Sequence, residues 1–179
     1  ENRISEITKM LSHLLRFVAL VTAFLLTIVL VFADDIVQLY FGAEFSDASL
    51  MLRILVPGVF GFSLARVMWP VIQARGRVMP LVVVLGSVTV ANLGLNWFLI
   101  LKWEALGAAV ATSISYVIVV FVYAWMIRDG GVQPFTRSYG TRLLVLCTVT
   151  AMCLVPISVA VSSELLAVII GSVLAVCIY

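Results

Sequence analysis

"FSLARVMWPVIQARGR", residues 62 to 77, ends near two arginines, Arg75 and Arg77, and carries a third, Arg66, well inside an otherwise apolar run. In a water-soluble helix that residue would be ordinary. At membrane depth an arginine costs about 2.5–3.5 kcal/mol on insertion scales, unless it snorkels to the surface, pairs, or faces water. Composition says which solvent surrounds it. The 179 residues are 64% hydrophobic and only 11% charged, with a mean hydropathy of +1.22. Soluble domains run nearer a quarter charged. A chain this apolar has too little polar surface to cover one globular core, so its second solvent is lipid.

About 20 apolar residues in a helix cross the hydrocarbon core of a bilayer. Five runs satisfy this, 17–33, 50–74, 78–101, 105–127 and 143–161, and a sixth starts at Leu165 and is cut off. The runs are continuous instead of alternating apolar with polar, which argues against a strand barrel. The expected fold is therefore all-α, a polytopic transmembrane helix bundle of about six spans with the last one truncated. The chain opens on Glu1 and not Met, and its last apolar run ends at Tyr179 without a polar flank, so we expect an internal piece of a longer protein. No signal peptide is expected, because the first apolar stretch follows sixteen mixed residues and is long enough to span.

The basic residues test the span count independently of hydropathy. Eight of the eleven (Arg3, Lys9, Arg16, Arg75, Arg77, Arg128, Arg137 and Arg142) fall before the first span, after the second and after the fourth. The opposite side holds one base, Lys102, with Asp34, Asp35, Glu44, Asp47, Glu104 and Glu164. That bias places the N-terminus and the basic loops in the cytoplasm, as expected for a multi-pass protein of the plasma (inner) membrane. Residues 1–16 have Ile4, Ile7, Leu11, Leu14 and Leu15 at helical spacing, so we read them as an amphipathic helix on the cytoplasmic surface. Residues 17–128 then form a four-span core, and 129–179 add further spans.

Inside the spans the polar and small residues are few and placed. Asn92 and Asn96 share one helix face. Gly86, Ser87, Thr89 and Gly94 surround them, and Gly107, Ala108, Ala111, Thr112 and Ser115 lie on or near one stripe of the fourth span. Small residues let helices approach closely in lipid, and an amide can bond across to a neighbour. For the asparagines, packing and a polar cavity wall both remain open. The second span carries Pro57, Gly58, Gly61 and Pro70, which predict bends, together with Arg53 and Arg66. Those two arginines lie about 140° apart around a straight helix. Either could snorkel or face a cavity. The three cysteines, Cys147, Cys153 and Cys177, read as small buried hydrophobes, and the lone His13 as an interfacial residue. No cofactor is expected, and no basic run suggests nucleic acid.

Four short motifs, behind an amphipathic lead-in and a first span, occur in an order that resembles one family. They are Phe41-Gly42-Ala43-Glu44-Phe45, Gln73-Ala74-Arg75-Gly76-Arg77, the pair Asn92 and Asn96, and the run from Gly107 to Thr112. The chain is similar, over residues 1 to 128, to the C-terminal half of prokaryotic polysaccharide and O-antigen flippases of the multidrug/oligosaccharidyl-lipid/polysaccharide exporter superfamily. That resemblance implies one lobe of a two-lobed exporter with a central cavity. It implies a lipid-linked oligosaccharide with an anionic diphosphate headgroup as substrate, membrane lipids as surroundings, and a missing N-terminal lobe of the same chain. Arg66 would bind substrate, with Arg53, Asn92 and Asn96 as further candidates. A multidrug exporter of the same superfamily would want carboxylates in its cavity, and no Asp or Glu lies inside a span. A membrane enzyme acting on lipid-linked glycan would have to draw on Asp34, Asp35, Glu44 or Asp47, adjacent to a solvated boundary. No catalytic residue is assigned.

Overall fold

The computed structural model describes residues 2–128. The expected fifth and sixth spans, and all three cysteines, lie outside these residues. Among the described residues the structure is helical: α1 (Asn2–Val31), α2 (Ala33–Phe41), a single 3-10 turn (Ala43–Phe45), α3 (Ala48–Ala74) and α4 (Val78–Arg128). Three of these helices are long and apolar enough to cross a membrane, α1 over Lys9–Val31, and α3 and α4 over their full lengths.

The 51-residue α4 is not one rod. Glu104 sits at φ 50°, ψ −129°, outside helical space, and the chain reverses there. The side-chain amide of Asn92 donates to the Ser115 hydroxyl at 2.9 Å and to the Ala111 carbonyl at 3.3 Å. On a straight helix residues 92 and 115 would stand about 35 Å apart. The two arms, 78–103 and 105–128, thus form an antiparallel hairpin, and the reversal falls where the sequence placed the connection between the third and fourth spans. Gly107 permits the tight return: a Cβ there would overlap the Leu99 carbonyl.

Contacts at the helix ends fix the alternation of direction. Near one end of the bundle Arg53 of α3 reaches the Leu30 carbonyl of α1 and Asp34 of α2. At the other end Arg75 of α3 donates to the Ile127 carbonyl in the last turn of α4 at 3.3 Å. Arg75, Arg77 and Arg128 therefore gather at one end of the bundle, and Asp34 lies at the other.

One sequence expectation differs from what the helices do. The sequence pattern divides a surface lead-in from the first span, yet α1 continues from Asn2 to Val31 without a break. Its buried stripe, Leu11, Leu15, Ala19, Ala23 and Thr27, repeats every four residues through both parts. Leu11 and Leu15 join Met68, Ile72, Leu81, Tyr123 and Ile127 in the main core. A shared stripe gives the chain no reason to turn between them. Pro57 and Pro70 lie inside α3, which runs through both of them. Each proline removes one backbone bond, which in a packed membrane helix neighbouring groups and local adjustments make good.

Tight packing of α3 on the returning arm of α4 explains the glycines. A Cβ on Gly58 would lie 2.6 Å from the Ser113 Cα, and one on Gly61 would lie 3.2 Å from a Val120 methyl. Association of helices in lipid rests on such close approach and on interhelical hydrogen bonds. Asn92 supplies the latter, while the Ser115 hydroxyl donates a hydrogen bond to the Ala111 carbonyl at 2.9 Å. Asn92→Leu is expected to lower the stability of the full-length protein by about 1 kcal/mol. A shifted thermal midpoint in detergent, read against native protein, checks this.

Candidate functional site

Arg66 projects from the face of α3 that is turned away from the core. The buried face carries Gly61, Leu64, Ala65, Met68 and Ile72 against α1 and α4. A side chain in a helix leans toward the N-terminus over the preceding turn. Arg66 does so, and its guanidinium carbon stands 5.9 Å from the centroid of the Phe62 ring. The charge is thus drawn back along the span, away from the basic end at Arg75. Phe62 is itself stacked on Tyr116 of the returning α4 arm, ring centroids 4.5 Å apart and planes 22° from parallel. Among the described residues no carboxylate pairs with Arg66. Pro70, one turn later, has no amide hydrogen for the Arg66 carbonyl, so backbone polarity is released at the same level as the charge.

Arg53 is in a different setting. One guanidinium nitrogen bonds Asp34 at 2.7 Å and Nε points to the Leu30 carbonyl at 3.4 Å. It thus ties α3 to the end of α1 and the start of α2. The Ser49 hydroxyl, and after it Arg53, hold the Asp34 carboxyl below the ordinary carboxylate range by hydrogen bonding to its charged form. A depressed pKa contributes stability that is complete above the unfolded value and lost as pH falls through the folded one. Acidification through that range is expected to loosen α2 from α3. Reduced protection of amides 33–41 against hydrogen exchange at low pH, relative to their intrinsic rates, is the readout, and Asp34→Asn should remove its pH dependence.

The asparagines are engaged within the hairpin. Asn96 donates to the side-chain oxygen of Asn92 at 2.9 Å and to its carbonyl at 3.0 Å, while the amide of Asn92 serves Ala111 and Ser115. Among the described contacts neither asparagine touches Arg53 or Arg66. The four sequence candidates therefore separate into a latch at Arg53, a hairpin clasp at Asn92 and Asn96, and a solitary cation at Arg66. Phe62 and Tyr116 were not singled out in the sequence. The one available signal was the four-residue spacing of Phe62 and Arg66, which makes them neighbours on a helix. Among the described residues no cluster of His, Cys, Asp and Glu has the makings of a metal site.

Compared with known proteins, residues 1–178 match the family model described as lipid II flippase MurJ. The chain belongs to this family. It is also similar to a probable low-salt glycan biosynthesis flippase, Agl15, of Haloferax volcanii, with 36% identity over 104 residues. That match covers 54% of this chain and 20% of the relative, so the chain spans about a fifth of the length of the curated relative it matches. No solved structure matches it. Family membership and the long apolar helices make this a multi-pass membrane protein. They also bear out the likeness to prokaryotic lipid-linked glycan flippases drawn from the motifs.

Proposed function

We propose that the full-length protein is a flippase, which moves the headgroup of a lipid-linked oligosaccharide from the cytoplasmic to the outer leaflet by alternating access. This chain supplies part of one lobe, and Arg66 contributes to the cavity wall. The supporting observation is the state of Arg66. It is a cation at membrane depth on the free face of α3, drawn toward the span's interior, with no carboxylate partner among the described residues. An unneutralised arginine in a membrane marks a charged passenger or a water-filled path. A diphosphate headgroup is anionic and cannot cross hydrocarbon unaided. A guanidinium pairs with phosphate through two parallel N–H bonds and stays charged at every physiological pH.

Transport by such a protein is a matter of binding and release from two sides, with no bond made or broken. The N-terminus and the end bearing Arg75, Arg77 and Arg128 face the cytoplasm in this proposal, following the distribution of bases. Asn92 and Asn96 act on the cavity indirectly, by setting the hairpin against which α3 packs. Arg53 lies nearer the outer mouth, where its bond to Asp34 is available to open and close.

The test uses the full-length parent reconstituted in liposomes. Translocation of a fluorescent lipid-linked oligosaccharide is followed by its accessibility to an impermeant quencher, beside efflux of an organic cation from the same vesicles. Oligosaccharide movement without cation efflux supports the flippase. Cation efflux alone replaces it with the multidrug exporter.

A further inference from the structure

Two contacts share the Phe62 ring: the exposed Arg66 guanidinium lies 5.9 Å from its centroid, and the Tyr116 ring of α4 stacks on it. We infer that Phe62, seated on Tyr116, is a positioning residue that orients Arg66 toward an anionic diphosphate. The inference rests on the function proposed for Arg66.

The chemistry of the support is what distinguishes it. An arginine held by a carboxylate is neutralised and spends its N–H donors on that partner. A ring face attracts a cation through its quadrupole, within about 6 Å of the centroid, and accepts no conventional hydrogen bond from the guanidinium edge. Phe62 therefore restrains the long Arg66 side chain while leaving its charge and its donors for a ligand. Holding the fork in place before the ligand arrives reduces the rotamer entropy lost on binding. Phe62 needs a support of its own, and Tyr116 provides it across the helix pair. The two backbones approach at Gly61, where a Cβ would stand 3.5 Å from the Tyr116 carbonyl, and this closeness lets the rings overlap. The stacking uses the Tyr116 ring face and not its hydroxyl, so Tyr116→Phe should be silent.

The experiment measures binding of farnesyl diphosphate, a soluble prenyl diphosphate, to the full-length protein in detergent by calorimetry. A matrix of Phe62→Leu, Arg66→Ala and the double variant is compared with native protein. Phe62→Leu is expected to weaken binding about fivefold, and Phe62→Trp to restore it. In the Arg66→Ala background Phe62→Leu should change nothing further, because a residue that works through Arg66 has nothing left to orient. Should Phe62→Leu fold poorly, Tyr116→Leu against Tyr116→Phe repeats the comparison from the other ring. Equal losses from Phe62→Leu with and without Arg66, or native binding in Phe62→Leu, overturn the inference and leave the role of Arg66 intact. Native binding in Arg66→Ala, or no binding by native protein, removes the role of Arg66 and the inference with it.

Discussion

Gly107→Val is expected to prevent the full-length protein from folding normally, by a loss of about 3 kcal/mol or more. The hairpin of α4 closes over Gly107, whose missing side chain leaves room for the backbone of Leu99 and Ile100. A Cβ at 107 would overlap the Leu99 carbonyl and lie 2.9 Å from the Ile100 amide nitrogen. These are main-chain atoms of a helix arm, so they cannot swing aside as a side-chain end would. The arms would have to part, and parting them separates Asn92 from Ser115 and Ala111. In lipid the exposed amide finds no water to replace those partners. Gly86→Ala, on the same α4, is the control, since beyond the adjacent backbone of its own helix no described atom lies within 4 Å of its Cβ position. Size-exclusion profiles of fluorescent fusions should show a monodisperse peak for Gly86→Ala and aggregate or degradation for Gly107→Val. A monodisperse, native-melting Gly107→Val would mean that the hairpin turn is looser than its contacts imply.

How far such features could be read from the sequence depends on what carried the information. The long apolar helices of residues 2–128 and their alternating direction were legible because two independent signals, apolar length and the placement of bases, had to agree, whereas the short α2 carried neither. Arg75, Arg77 and Arg128 sit together at one bundle end as that alternation requires. The reversal between the third and fourth spans was legible for a similar reason, since Lys102 and Glu104 interrupt an apolar run. Its tightness was not, because Glu104 adopts a left-handed φ that favours glycine and gives no sign of it in composition. Continuity of α1 was hidden by polarity: Lys9, His13 and Arg16 mark a surface, while the buried stripe beneath them runs on into the span.

The site residues illustrate a second limit. Spacing says which side chains share a helix face, and correctly joined Asn92 to Asn96. It says nothing of which face meets which neighbour. Arg53 and Arg66 looked alike as charges within one span, yet Asp34 and the Leu30 carbonyl engage the first, and an aromatic ring alone underlies the second. Both arginines precede a proline by four residues, Pro57 and Pro70, so each carbonyl lacks its usual helical donor. That regularity was present in the sequence but acquires meaning only with the partners known. Where the side chain is latched, the freed carbonyl lies at a helix junction. Beside Arg66 it adds a bendable point to a helix face whose cation has no carboxylate partner among the described residues.

Arg66→Ala is expected to slow translocation of lipid-linked oligosaccharide by about 10- to 100-fold, the equivalent of one or more charge-assisted hydrogen bonds lost from a desolvated headgroup. Arg66→Lys should fall between the two, because an ammonium keeps the charge but cannot form the parallel pair of bonds that a fork gives to phosphate. Stability should move the other way. Arg66 is exposed and makes no core contact, so its removal leaves the packing of α3 unchanged. It also removes the cost of holding a charge inside a membrane span, a cost that a cavity-facing position lowers but does not abolish. The thermal midpoint of Arg66→Ala is therefore expected to equal or exceed the native value while transport collapses. A residue kept for anchorage would show the reverse, with normal transport and weaker insertion. The pair of measurements in one reconstituted preparation separates the two, since residues kept at a cost to the fold are those whose loss stabilises and inactivates together. Full transport in both variants would instead make Arg66 an interfacial anchor and move the search for the headgroup's cation to another helix.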